Sequence, residues 1–143
     1  MTNTPTLMLN GKTLDFQLGQ TILEVARAVG VFIPTLCHLA GATPSETCRV
    51  CVVEVEGADK LLAACATPAE PGMKISTDSF TVQEARRQIL EMLIDSGDHN
   101  CLSCEVSGDC RLQDLAYRYG IKRGAPPLIP AETDNPFIIR DFS

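Results

Sequence analysis

The fold is decided near the N-terminus by residues 7–16, which read Leu7-Met8-Leu9-Asn10-Gly11-Lys12-Thr13-Leu14-Asp15-Phe16. Asn-Gly supplies the two positive φ angles of a type I′ turn, so this stretch predicts a β-hairpin with strands at 7–9 and 13–16. A capping box follows at Thr21-Ile22-Leu23-Glu24, and apolar residues recur at helical spacing before Gly30, a helix stop signal. The sequence therefore predicts a short helix packed on the hairpin.

Strand signals separated by turns follow the helix. Residues 31–47 contain Pro34, Gly41 and Pro44 and predict irregular backbone. Residues 49–55 and 60–64 predict a second hairpin, and residues 73–76 predict a further strand. The order β, β, α, loop, β, β, β predicts an α+β fold, with one helix across a small sheet.

The remainder of the chain shows helical patterns. A second capping box at residues 81–84 and apolar positions at helical spacing predict a helix that runs to about Ser96. Residues 111–119 predict another helix, which ends at Gly120, and residues 97–110 between the two helices are dense in Cys. Four prolines after residue 125 predict an extended tail. The predicted domains are therefore 1–78, 79–120 and a tail at 121–143.

Composition restricts the possible functions. The chain has 143 residues and a formal net charge of −6, with no cluster of basic residues, which argues against nucleic-acid binding. No apolar stretch is long enough for a membrane span, and no signal peptide is recognisable, so a cytoplasmic protein without membrane insertion is expected. Disulfides are rare in that compartment. Seven cysteines and one suitably placed histidine make two sets of four ligands, which favours metal binding.

The first set of candidate ligands is Cys37-x10-Cys48-x2-Cys51-x13-Cys65. One close pair with two distant single cysteines is typical of ferredoxins, in which four thiolates hold a [2Fe-2S] cluster. Structural zinc ribbons instead use two close pairs, although zinc and four metal-free thiols both remain alternatives. Small residues at positions 41, 42, 63, 64 and 66 suggest that their backbone amides approach the sulfurs. His38, directly after Cys37, could tune or shield the cluster, although an exposed loop imidazole is the favoured interpretation.

The second set is His99-x-Cys101-x2-Cys104-x5-Cys110. Four ligands within twelve residues are sufficient to surround a [4Fe-4S] cubane, with the imidazole at the corner that lacks a thiolate. Three thiolates and one imidazole are also a known zinc combination. Spacing alone therefore leaves three possibilities open: an iron-sulfur cluster, a zinc ion, or a site made of three cysteines with His99 outside it.

Both sets resemble the large iron-sulfur subunit of NADH-quinone oxidoreductase. Ile33-Pro34-Thr35-Leu36-Cys37 and Cys48-Arg49-Val50-Cys51 resemble its plant-type [2Fe-2S] domain, and residues 97–104 and 107–115 resemble its His-Cys [4Fe-4S] module. The same two modules open the diaphorase small subunit of NAD-reducing hydrogenases, many [FeFe]-hydrogenases and NAD-dependent formate dehydrogenases. The spacing His-x-Cys, in place of His-x3-Cys, is closer to the hydrogenase and formate dehydrogenase relatives.

The resemblance implies a β-grasp ferredoxin domain followed by a small helical module, with one [2Fe-2S] and one [4Fe-4S] cluster on the two ligand sets. It also implies an electron-transfer subunit or module that relays single electrons between a flavin- or NAD(P)-binding subunit and a catalytic subunit. No dinucleotide-binding motif or P-loop is present, so the chain is not expected to be catalytic alone. A zinc-stabilised interaction module is the alternative. The chain is either a stand-alone small subunit or one piece of a longer protein.

Overall fold

The computed structural model describes residues 4–39, 41–97, 99, 101 and 103–121. The chain divides into two compact units, Met1–Arg86 and Arg87–Ser143. The elements in chain order are β1 (Thr6–Leu9), β2 (Lys12–Asp15), α1 (Ile22–Ala28), β3 (Val52–Val55), β4 (Leu62–Ala63), β5 (Lys74–Ser76), α2 (Phe80–Asp95) and α3 (Arg111–Arg118). The α+β class is confirmed, whereas the domain limits 1–78 and 79–120 stay a prediction.

All five strands of the first unit form one mixed sheet in the order β2-β1-β5-β3-β4. β1 pairs antiparallel with β2 in the predicted hairpin and parallel with β5. β3 pairs antiparallel with both β4 and β5, so the second predicted hairpin is also present. An N-terminal hairpin whose first strand lies parallel to the last strand is the β-grasp arrangement that the resemblance implied.

Local signals at the N-terminal end of the chain act as predicted. Asn10 and Gly11 have φ angles of 51° and 82°, which a type I′ turn requires. The Thr21 hydroxyl accepts a hydrogen bond from the Glu24 amide at 3.3 Å, and the Glu24 carboxylate accepts one from the Thr21 amide at 2.8 Å. The Ile22 amide donates to the carbonyl of Thr67, and the Leu23 amide donates to the carbonyl of Ala64, each at 3.0 Å. The start of α1 is thereby tied to the segment that carries Cys65.

The core of the first unit contains two of the candidate ligands. Cys51 and Cys65 are each only 1% exposed and belong to the apolar cluster formed by the strands and α1. Other members of this cluster that are at most 2% exposed are Leu7, Leu9, Ile22, Leu23, Ala26, Val53 and Ala64. These two cysteines are therefore held by the same packing that holds the sheet together.

One buried charged side chain, Arg86 on α2, also contacts the sheet. Its Nε and Nη2 atoms donate hydrogen bonds to the Val52 carbonyl at 3.2 and 2.8 Å, and the residue is 2% exposed. The Ala64 amide bonds to the carbonyl of Cys51, so the Val52 carbonyl points away from β4 and toward the side of β5. β5 ends at Ser76, opposite Glu54, before it reaches the level of Val52. The guanidinium therefore supplies the donor that a longer β5 would have provided.

The start of α2 lies two residues before the predicted start. The helix begins at Phe80, and the Ser79 hydroxyl accepts a hydrogen bond from the amide of Val82 at 3.3 Å. The predicted capping box at residues 81–84 is therefore wrong, since those residues already lie inside the helix. An earlier residue with a suitable oxygen caps it instead.

The second unit contains the remainder of α2, the Cys-dense loop and α3. Leu90, Ile94 and Leu115 are its buried apolar residues in the described part of the chain. α3 ends just before Gly120, which has a φ angle of 66°, as the sequence predicts. The predicted tail at 121–143 lies outside the described residues, except for Ile121. None of the helices within the described ranges has the length and apolar character needed to cross a membrane.

Candidate metal centres

The first set of ligands combines two rigidly held thiols with two thiols on a loop. Cys51 directly precedes β3, and Cys65 follows β4. The Cys51 carbonyl accepts a hydrogen bond from the amide of Ala64 at 3.1 Å, which fixes the two backbone segments side by side. Cys37 and Cys48 are half-buried on irregular backbone, as predicted.

The four thiols form two pairs. The side chains of Cys37 and Cys48 are hydrogen-bonded to each other, and so are those of Cys51 and Cys65. Burial raises the pKa of Cys65, and the hydrogen bond and charge of Cys51, together with the charges of Cys37 and Cys48, raise it further, to about 12. Because the pKa of Cys65 responds to all three other thiols, the four predicted thiols lie near one another in the fold.

Hydrogen-bond donors surround the loop pair. Burial acts to raise the pKa of Cys37, but hydrogen bonds from the Ser45 hydroxyl, from Cys48 and from the Thr47 amide lower it to about 7. Burial raises the pKa of Cys48, against the opposing hydrogen bonds of three backbone amides, those of Val50, Cys37 and Leu36. Donors of this kind stabilise negative charge on sulfur, whether the sulfur is a thiolate or part of a cluster.

The identity of these donors was not predicted correctly. The sequence suggested the amides of small residues, yet those of Ala42, Ala64 and Ala66 donate to the carbonyls of Leu39, Cys51 and Ala63. Small size allows close approach but does not decide where an amide points. Ser45, whose hydroxyl faces Cys37, was not identified at all, because a serine in an irregular loop has no distinguishing pattern.

The pairing indicates which cofactor fits. All seven cysteines are free thiols. Within the residues that the structure describes, no three His, Cys, Asp or Glu side chains are grouped closely enough to hold a single metal ion. A structural zinc ion needs four ligands around one point, whereas a [2Fe-2S] cluster has two irons that each take two thiolates. Two neighbouring thiol pairs fit the cluster better than they fit zinc.

The second set of ligands lines one cavity. His99, Cys101, Cys104 and Cys110 all contribute to a cavity of about 410 Å³, which is also lined by Ile94, Ser103, Ser107, Leu112 and Gln113. Cys104 is exposed, and the other three ligands are half-buried. The four candidate ligands therefore line a common space and do not converge on one point. This arrangement fits a cubane, whose four irons lie at separate corners.

Contacts within the second unit hold His99 in position. Its Nε2 atom lies 3.2 Å from the carbonyl oxygen of Leu93 in the last turn of α2. A Cβ atom at Gly97 would lie only 2.5 Å from the same Nε2 atom. A histidine that binds metal usually donates its other ring N–H to a carbonyl or carboxylate, which fixes the orientation of the ring. His99 has such a carbonyl contact, and Gly97 leaves room for it.

A buried glutamine orders the loop before α3. The side chain of Gln113 accepts a hydrogen bond from the Gly108 amide at 2.8 Å and donates one to the Ser107 hydroxyl at 3.2 Å. The Ser107 amide in turn donates to the carbonyl of Cys104 at 3.1 Å. Gln113 lies within the motif of the resemblance, but its supporting role follows only from these contacts.

The comparison with protein families agrees with this geometry. Residues 3–79, more than half of the chain, match the model of a 2Fe-2S iron-sulfur cluster binding domain. The chain belongs to this family. Residues 86–124 match the NADH-ubiquinone oxidoreductase-G iron-sulfur binding region. The two matches contain the two ligand sets in turn, and the predicted cofactors, a [2Fe-2S] and a [4Fe-4S] cluster, are confirmed.

Known relatives of this iron-sulfur protein match most of the chain. It is 43% identical over 122 residues to the NADP-reducing hydrogenase subunit HndD of Solidesulfovibrio fructosivorans, with 82% of this chain and 21% of that protein covered. It is 36% identical over 118 residues to the mitochondrial NADH dehydrogenase (ubiquinone) iron-sulfur protein 1 of Solanum tuberosum, with 82% and 16% covered. A solved chain of an NAD+-reducing [NiFe]-hydrogenase in the H2-reduced state matches with a TM-score of 0.79 and 42% identity, over 90% of this chain and 55% of that one.

These matches confirm the resemblance to NADH dehydrogenase and hydrogenase subunits, while the formate dehydrogenase resemblance stays a prediction. The chain spans less than a quarter of the length of both curated relatives.

Proposed function

We propose that this protein relays single electrons between a flavin- or NAD(P)-binding subunit and a catalytic subunit of an oxidoreductase complex. The main support for the proposal is the presence of two sets of four candidate ligands, one in each compact unit of a single chain. The relatives are subunits of hydrogenases and NADH dehydrogenases by name, which supports a place in such a complex. The chemistry that the clusters supply when bound is reversible one-electron transfer.

The first cluster is assigned to the two thiol pairs. Cys37 and Cys48 hold one iron of the [2Fe-2S] cluster, and Cys51 and Cys65 hold the other. The hydrogen-bonded pairing of the thiols supports this division. The buried pair fixes the cluster to the sheet, and the loop pair lies nearer to the surface, where electrons enter or leave.

The second cluster, of the [4Fe-4S] type, is assigned to His99, Cys101, Cys104 and Cys110. The common cavity and the carbonyl contact of His99 support this set. Counted formally, the oxidised clusters add about −2 and about −1 to the charge of a chain that already carries −6. The partner surfaces that receive this protein are therefore expected to be basic, and the assembly is expected in the cytoplasm, without direct membrane insertion by this chain.

Metal analysis and EPR spectroscopy of the anaerobically purified full chain test the proposal. About six irons per chain and two distinct signals after reduction are expected, because the two clusters contain two and four irons. Oxidation of the reduced chain by a one-electron acceptor should remove about one electron per cluster. Stoichiometric zinc at both sites would instead support a structural interaction module. Turnover of hydrogen, formate or NADH by the isolated chain would contradict a role limited to relay.

A further inference from the structure

His38, the residue after Cys37, is more buried than the sequence suggested. Its imidazole was expected to be exposed, but the residue is half-buried in the structure. Its Nδ1 atom is sealed from solvent. Among the buried side-chain nitrogen and oxygen atoms within residues 4–121, leaving aside positions 40, 98, 100 and 102, it is the one that has no hydrogen-bond partner.

An unpartnered ring nitrogen in this position is unfavourable. A buried polar atom that loses its hydrogen bonds to water and gains none costs roughly 1–3 kcal/mol. For that reason, nearly all buried polar side-chain atoms in folded proteins have a partner. The missing partner of His38 is therefore expected to belong to a group that occupies this site in the working protein.

The surroundings of Cys37 indicate what that group is. The Cys37 sulfur already receives hydrogen bonds from the Ser45 hydroxyl and from the Thr47 and Cys48 amides, so donors are gathered around sulfur at this position. The Cα atoms of Cys37 and His38 are about 3.8 Å apart, as in any pair of consecutive residues, which keeps the imidazole near the ligand. The sulfurs of an iron-sulfur cluster accept hydrogen bonds, and such bonds help to set its potential.

We propose that His38 is an additional cofactor-binding residue, whose Nδ1–H donates a hydrogen bond to a sulfur of the [2Fe-2S] cluster. The inference rests on the proposed ligation by Cys37, Cys48, Cys51 and Cys65. Reduction adds one electron and changes the formal charge of this cluster from about −2 to about −3, so a donor stabilises the reduced state more than the oxidised state. No proton is transferred, and His38 raises the potential simply by remaining a donor.

The test compares His38→Leu, which removes the donor, with His38→Asn, whose amide nitrogen lies the same number of bonds from the backbone as Nδ1. The midpoint potential of each cluster is measured by EPR titration of the full chain at one fixed pH. His38→Leu is expected to lower the equilibrium constant for reduction of the [2Fe-2S] cluster about tenfold, or about 59 mV for one electron. His38→Asn is expected to retain most of the original potential.

Two controls accompany these variants. The [4Fe-4S] potential in the same sample should not change. Leu39→Ala removes an exposed side chain from the next position and should leave both potentials unaltered. A fully loaded His38→Leu variant with an unchanged [2Fe-2S] potential would overturn the inference and leave the proposed function intact. Absence of any [2Fe-2S] signal from the unsubstituted chain would instead overturn the proposed function.

A second measurement applies even if His38→Leu fails to bind its cluster. The chain contains only two histidines, so selective labelling with ¹⁵N-histidine introduces few labelled atoms. Pulsed EPR on the reduced [2Fe-2S] signal should detect a weak ¹⁵N coupling through the hydrogen bond. The coupling should disappear in His38→Asn. An unsubstituted labelled chain without this coupling would show that the imidazole does not bond to the cluster.

Discussion

The two ligand sets are held by different means. In the first unit, Cys51 and Cys65 are part of the apolar core, and hydrogen bonds of the β-sheet fix their backbone. In the second unit, the ligands lie on a loop that begins after one helix and ends at the start of another, and Cys104 is exposed. The sheet can therefore preorganise the first candidate site, whereas we expect the loop to depend more on a bound cluster for its order.

The largest expected effect comes from removing one ligand from each set. Cys51→Ser should abolish the [2Fe-2S] EPR signal and leave the [4Fe-4S] signal, because each set of ligands lies in its own compact unit. Cys104→Ser should have the opposite effect. EPR spectra and iron content of both variants, purified in parallel, provide the measurement. Loss of both signals from either variant would show that the two sites do not form independently.

The contribution of the sheet can be tested at Arg86. Arg86→Met leaves the buried Val52 carbonyl without its charged donor, which should destabilise the first unit by about 2 kcal/mol. For a unit of this size, such a loss lowers the melting temperature by roughly 8–16 °C. Thermal loss of the visible circular dichroism of the [2Fe-2S] cluster would report the change.

The adjacent arginine provides the matched control. Arg87 forms an ion pair with Glu91 at 2.9 Å, one turn further along α2, and its side chain is 31% exposed. Arg87→Met should therefore change stability by no more than about 0.5 kcal/mol. Equal effects of the two substitutions would mean that the contact with Val52 has no special importance.

A smaller effect is expected from Gly97→Ala in the second unit. The added methyl group would lie 2.5 Å from Nε2 of His99, so the imidazole must move. Displacing a side chain from its preferred rotamer costs about 0.5–1.5 kcal/mol. If His99 is a ligand, the g-values and potential of the [4Fe-4S] cluster should shift while those of the [2Fe-2S] cluster stay constant. Val106→Ala, at an exposed position that does not line this cavity, is the control. An unaltered spectrum in Gly97→Ala would argue against ligation by His99.

The smallest effect concerns thiol reactivity in the iron-free protein. Because thiolates are the reactive form, alkylation of Cys37 should reach half of its maximal rate near pH 7, the value to which its pKa is lowered. Cys65, whose pKa is raised to about 12, should stay largely unreactive up to pH 10. Mass spectrometry of samples alkylated at several pH values shows which of the two cysteines reacts first. Equal rates for the two cysteines would mean that the iron-free site does not keep the arrangement described above.

Local interactions explain which parts of the fold could be predicted from the sequence. The Asn10-Gly11 turn and the Thr21 capping box depend on residues within four positions of each other, and both are present. The cysteine spacings likewise predicted which thiols meet in the first unit, since the close pair and the second hairpin limit where the ligands can lie.

Contacts between distant residues could not be predicted in this way. Arg86 contacts a carbonyl 34 positions earlier, and it does so only because β5 ends before it reaches the level of Val52. The division of the four thiols into pairs, the donor role of Ser45 and the burial of the His38 ring also depend on how the loop folds back. None of these leaves a periodic pattern or a motif in the sequence.

The parallel pairing of β1 with β5 has a consequence for the order of events during synthesis. Met8 lies opposite Lys74, so the ribosome adds all four cysteines of the first set before the residues that complete the sheet. During that interval the four thiols belong to a chain whose sheet is still incomplete. Delivery of iron and sulfide to a finished site therefore follows translation of the first 76 residues.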